Sequence, residues 1–126
     1  MDRRRFLQGF FIASTITTKA WAKRSPLPAT ERRDLYPQGV ASGDPTYNSV
    51  ILWTRRPPIN NSSANKLNVE ISATPEFNKI VAHGTADISA DADWTCRFLV
   101  KDLKPSREYW YRFIDEHGFA SRVVER

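Results

Sequence analysis

The chain has 126 residues, with 19 Lys and Arg against 14 Asp and Glu, a formal charge of +5, and one cysteine, Cys96. The lone thiol excludes an intrachain disulfide, and the length suits one domain with a substantial core rather than two. Residues 1–22 hold four of the basic residues and one of the acidic ones, and without them the charge falls to +2; nucleic-acid binding thereby loses its main support, since Arg32-Arg33 and Arg55-Arg56 are short doublets expected on solvated surface, not a basic stripe interleaved with aromatics.

The first predicted element is an export signal. Arg3-Arg4-Arg5-Phe6-Leu7-Gln8 fits an Arg-Arg-x-Phe-Leu-polar pattern, in which Arg3, Arg4, Phe6 and Leu7 carry the twin-arginine address. Phe6 to Ile16 is a moderately apolar stretch diluted by Gly9, Ser14 and Thr15, and Ala20-Trp21-Ala22 supplies small residues at Ala20 and Ala22 for cleavage after Ala22. A spanning helix needs about 20 apolar residues, and this run breaks at the threonines and Lys19, so no membrane anchor is expected after cleavage. The signal implies a twin-arginine translocase as partner during export and a periplasmic or secreted location.

Residues 23–35 are polar and contain two prolines, which predicts a linker before a domain at 36–126. Ser49 to Thr54 is a continuous apolar run, expected as a strand covered on both faces or in the centre of a sandwich, and Pro57-Pro58 ends it. Leu67 to Ser72 alternates, with Leu67, Val69 and Ile71 on one face. Ile80 to Ile88 predicts a strand with a bulge or bend at Gly84. Trp94 to Val100 alternates again and places Cys96 in the core. Glu108 to Ile114 and Phe119 to Val124 flank Asp115-Glu116-His117-Gly118 and predict a hairpin.

About six or seven short strands, with no sustained helical period, predict an all-β fold: an antiparallel β-sandwich of fibronectin type III or immunoglobulin-like kind. Leu103, Pro105 and Tyr109 stand at the offsets of a tyrosine corner, in which the tyrosine hydroxyl bonds back to the upstream backbone.

Tyr36-Pro37-Gln38-Gly39-Val40-Ala41-Ser42-Gly43-Asp44-Pro45-Thr46, followed by Ser49 to Arg55, resembles the opening of the N-terminal domain of alkaline phosphatase D (PhoD-like) enzymes. Ala73-Thr74-Pro75-Glu76-Phe77 and the stretch from Leu103 through Tyr109-Trp110-Tyr111-Arg112-Phe113 extend the resemblance over about residues 36 to 124. It implies a secreted phosphomonoesterase or phosphodiesterase, active at alkaline pH, with an iron and calcium centre in a larger metallophosphatase domain beyond the sandwich. No ligand of that centre is carried by this chain, so no catalytic, cofactor-binding or metal residue is assigned. Gly39 to Pro45 reads as a structural turn, because a phosphate-cradling loop would need a following helix N-terminus.

The other chemistry-bearing residues offer no substitute. His83 and His117 are far apart in the pattern, Asp91 and Asp93 fit a polar turn, and Cys96 lacks an activating partner. Two readings follow: an N-terminal accessory domain whose catalytic domain is missing from the chain, with Val123 and Val124 as part of a lost interface, or a stand-alone exported binding module that uses exposed aromatics such as Tyr47 or Phe119.

Overall fold

The computed structural model describes residues 14–17, 27–43, 48–105 and 107–125. Arg3, Arg4, Phe6, Leu7, Ala20 and Ala22 lie outside them, as do Tyr47 and the Asp44-Pro45 pair. The chain forms strands β1 (Ser14–Thr17), β2 (Thr30–Glu31), β3 (Val40–Gly43), β4 (Val50–Arg55), β5 (Lys66–Ser72), β6 (Ile80–Asp87), β7 (Thr95–Lys101), β8 (Trp110–Asp115), β9 (Phe119–Ala120) and β10 (Val124–Glu125). Its only helical segments among the described residues are 3₁₀ turns at Arg33–Leu35 and Ala90–Ala92.

The strands divide into two sheets. The first runs β1-β7-β4-β3; the second runs β2-β9-β8-β5-β6, with β10 also paired to β8. Alternation explains how the sheets meet. On β4, Val50, Leu52 and Thr54 are buried while Ile51, Trp53 and Arg55 are half-exposed, so of the two expectations the run is the sandwich-centre strand, with one face on the core. β7 buries Cys96, Phe98 and Val100, β5 buries Leu67, Val69 and Ile71, and β8 buries Tyr111 and Phe113. These residues form one core, and the Phe98 and Phe113 rings bridge the sheets with centroids 6.3 Å apart. Each such fully buried large side chain contributes about 1.5–3 kcal/mol.

The β8–β9 hairpin turns through Glu116-His117-Gly118, with Gly118 at φ +83° and its N–H bonded to the Asp115 carbonyl at 3.1 Å. Asn60 and Asn61, both in the left-handed region, form a second tight turn between Ile59 and Ser62, where the asparagine side chain tolerates that conformation better than most.

Four local features differ from the sequence expectation. Gly84 pairs in regular register with Val69, and the irregularity falls instead at Ile71/Ser72, opposite Ala82 and Ile80. Residues 27–35, expected to belong to a linker, are bonded to the second sheet. Thr30–Glu31 pairs in parallel with Phe119–Ala120, the Leu27 N–H donates to Glu70 at 3.0 Å, and Leu35 is fully buried. β1, drawn from the stretch expected to be the apolar part of the signal, pairs in parallel with β7 from Ser14↔Phe98 to Thr17↔Lys101. Arg56, expected on solvated surface with Arg55, is 0% exposed.

Candidate functional site

Leu103 and Tyr109 both pack into the core cluster. The loop between them folds back so that the Lys104 N–H donates to the Tyr109 hydroxyl at 2.9 Å, while the Leu103 N–H donates to the Asn48 carbonyl at 2.9 Å. Tyr109 therefore anchors the approach to β8 from inside the sandwich, with Pro105 exposed at the bend between them. Tyr109→Phe keeps the ring and deletes the acceptor, so it is expected to lower stability by about 1 kcal/mol, read as a shift in urea midpoint at unchanged slope.

A buried ion pair lies beneath β4. The Arg56 guanidinium contacts Asp115 Oδ2 at 3.1 Å through Nε and at 3.0 Å through Nη2, and neither side chain is exposed. The remaining donors reach the Pro57 carbonyl at 2.7 Å and Ser62 Oγ at 2.6 Å. Asp115 Oδ1 in turn accepts the N–H groups of His117 and Phe119 at 2.8 and 3.0 Å, which holds the hairpin turn. Two features pack against this cluster. The Tyr36 ring lies 5.9 Å from the Arg56 guanidinium, and the Tyr36 hydroxyl donates to the Phe119 carbonyl at 2.7 Å. Burial pushes the Tyr36 phenol well above its ordinary value.

A second buried carboxylate, Glu70, accepts from Arg112 Nη2 at 2.9 Å and Nε at 3.1 Å. Arg112 also lies 4.3 Å from the centre of the Phe77 ring, so charge and aromatic face share one guanidinium. Both clusters consume their charges in structural pairs.

The remaining residues singled out in the sequence are dispersed. His117 Nε2 donates to the Ser63 carbonyl at 2.8 Å, whereas His83 sits on β6 opposite Glu70. Asp91 is in the Ala90–Ala92 turn, and exposed Asp93 pairs with Arg55 at 3.0 Å. Cys96 is buried, and burial alone raises its thiol to about 12, so it stays protonated and unreactive at neutral pH. Among the described residues, no group of three His, Cys, Asp or Glu side chains is placed to hold a metal ion. The iron and calcium centre implied by the family resemblance finds no fitting donor set there.

A concavity of about 650 Å³ lies elsewhere, at one end of the second sheet, lined by Lys79, Val81, Lys104, Arg107, Glu108 and Trp110 among others. Sequence reasoning missed it because its residues come from two loops more than 20 positions apart. No periodicity joins them.

Residues 20–125 match the family described as the PhoD-like phosphatase, N-terminal domain. The chain is similar to alkaline phosphatase D of Bacillus subtilis (strain 168), 33% identical over 133 residues, an alignment covering 94% of this chain and 22% of the relative. It is also similar to a solved structure titled "Structure of PhoD", with a TM-score of 0.65 and 31% identity, covering 71% of this chain and 18% of that one. The chain thus spans about a fifth of the length of the relatives it matches, and by its match over residues 20–125 it belongs to the PhoD-like phosphatase N-terminal domain family.

Proposed function

We propose that this chain is the N-terminal sandwich module of an exported PhoD-like phosphoric ester hydrolase, and that it takes no part in bond breaking itself. Residues 1–22 serve as a twin-arginine signal, and the sandwich takes in the sheet-bonded residues 27–35 together with 36–126. The partners are the twin-arginine translocase during export and a metallophosphatase domain that holds the iron and calcium and performs the hydrolysis. What carries this reading is the family match to an N-terminal domain over residues 20–125, with a relative named alkaline phosphatase D. It is supported by the buried charges among the described residues, which are spent on Arg56–Asp115 and Arg112–Glu70.

Two experiments test the reading. A variant with Arg3→Lys and Arg4→Lys is expected to leave the protein inside the cytoplasm, while the parent is recovered outside with Lys23 as its first residue; export of the variant at the parent's level sinks the signal assignment. The purified chain, supplied with iron and calcium, is expected to leave a chromogenic phosphoester intact. Hydrolysis that chelation abolishes would place the chemistry in the sandwich and overturn the accessory role. A stand-alone binding module built on exposed aromatics is less well supported, because Phe119 is half-buried and stacked 5.0 Å from the Arg32 guanidinium.

A further inference from the structure

Two loops face each other across the 650 Å³ pocket, and both are held by internal hydrogen bonds. The loop from β5 to β6 is closed by the Ala73 N–H on the Lys79 carbonyl at 3.0 Å, by Ser72 Oγ on the same carbonyl at 3.1 Å, and by Thr74 Oγ1 on Asn78 Oδ1 at 2.7 Å. The loop before β8 is closed by the Lys104 N–H on the Tyr109 hydroxyl at 2.9 Å. A ligand entering between them would order little backbone, which is where binding energy is usually lost.

The pocket gathers cations that have no acidic partner among the described residues. Arg32, Arg33, Arg55, Arg56, Lys66 and Arg112 all have acidic partners. Lys79, Lys104 and Arg107 have none among the described residues, yet all three line the same concavity. The one carboxylate there, Glu108, is bonded to Glu125 rather than to a cation. Three cations against the Glu108–Glu125 pair leave the lining positive. Half-buried Trp110 and Val81 supply the apolar wall, and the volume lies within the roughly 300–1,000 Å³ typical of small-molecule sites.

We propose that this pocket binds a small organic dianion with a flat apolar portion, its charge set against Lys79, Lys104 and Arg107 and its ring against Trp110. A phosphomonoester of an aromatic or nucleoside group and an aromatic dicarboxylate share that chemistry. The site is independent of the export signal and of any hydrolysis elsewhere, and it would make the sandwich a ligand-sensing or ligand-retaining module in its own right.

The test is an NMR titration of the ¹⁵N-labelled full chain at fixed ionic strength with adenosine monophosphate, phthalate, adenosine and inorganic phosphate. Saturable shifts confined to residues 73–81 and 104–110 are expected with adenosine monophosphate or phthalate, and the tighter of the two identifies the head group. Adenosine and inorganic phosphate are each expected to bind at least about tenfold more weakly, because each lacks one half of the recognition. The double substitution Lys104→Gln and Arg107→Gln, on an exposed loop, is expected to weaken the tighter ligand by about tenfold while leaving the rest of the spectrum in place. The proposal is overturned if neither dianion saturates below about 10 mM, if inorganic phosphate matches them, or if the double variant binds as the parent does.

Discussion

Asp115→Ala is expected to lower the stability of the sandwich by about 3–5 kcal/mol, the range for removing one partner of a buried ion pair. The magnitude follows from what is left behind. Arg56 is 0% exposed, so its guanidinium would keep its contacts to the Pro57 carbonyl and Ser62 Oγ but lose its counter-charge. The His117 and Phe119 N–H groups would lose their acceptor at the same time. A domain of this size has roughly 5–15 kcal/mol in all, so the substituted chain should sit near its unfolding threshold at room temperature. Urea unfolding followed by tryptophan fluorescence gives the number. A loss below about 1 kcal/mol would mean that water reaches Arg56 and that the pair is not truly buried. The companion double variant Arg56→Met and Asp115→Leu removes both charges and is expected to recover much of the loss, because a well-packed apolar pair often equals or exceeds a buried ionic one.

Raising the pH is expected to destabilise the domain steeply between about 9 and 12. Burial lifts Cys96 from its ordinary 9.0 to about 12, and burial, reinforced by the Asp115 charge, lifts the Tyr36 phenol above its ordinary 10.0. Both groups stay neutral in the fold and ionise freely in the unfolded chain. Their contribution is therefore intact below the unfolded pKa and is lost as the pH climbs toward the folded one. A shift of three units at Cys96 corresponds to a loss on the order of 4 kcal/mol by pH 12. Urea midpoints measured from pH 7 to 11 should fall, and Cys96→Ala should start lower at pH 7 yet fall less. An identical slope in the two proteins would show that Cys96 does not govern the alkaline limit.

Much of the sandwich is legible in the sequence wherever one strand face is apolar. Leu67, Val69 and Ile71, the Cys96-Phe98-Val100 series, and Tyr111 with Phe113 all face the core as alternation demands. The hairpin across Asp115 to Gly118 is legible for a different reason, since a glycine in a short loop between aromatic strands has few other uses. What escapes is any pairing between distant polar residues. Arg56 beside Arg55 looks like surface, and only the fold brings Asp115, 59 positions away, to its guanidinium. Glu70 sits on the polar face of an alternating strand, yet Arg112 and the Leu27 N–H cover it. Thr30–Glu31 has no strand pattern of its own, and borrows order from the free edge of β9. The candidate pocket escapes for the same reason: three cations spread from Lys79 to Arg107 signal nothing until two loops face each other.

β1 belongs to the stretch proposed for removal on export, and it covers the flank of β7 from Phe98 to Lys101. Precursor and processed chain would therefore differ in outline. The first has that flank occupied; the second offers a bare row of amide and carbonyl groups onto which an extended peptide, or a second copy of the chain, can zip. An address label of this kind would double as a dust cover, worn while the newly folded protein is crowded among its siblings and shed only at the destination.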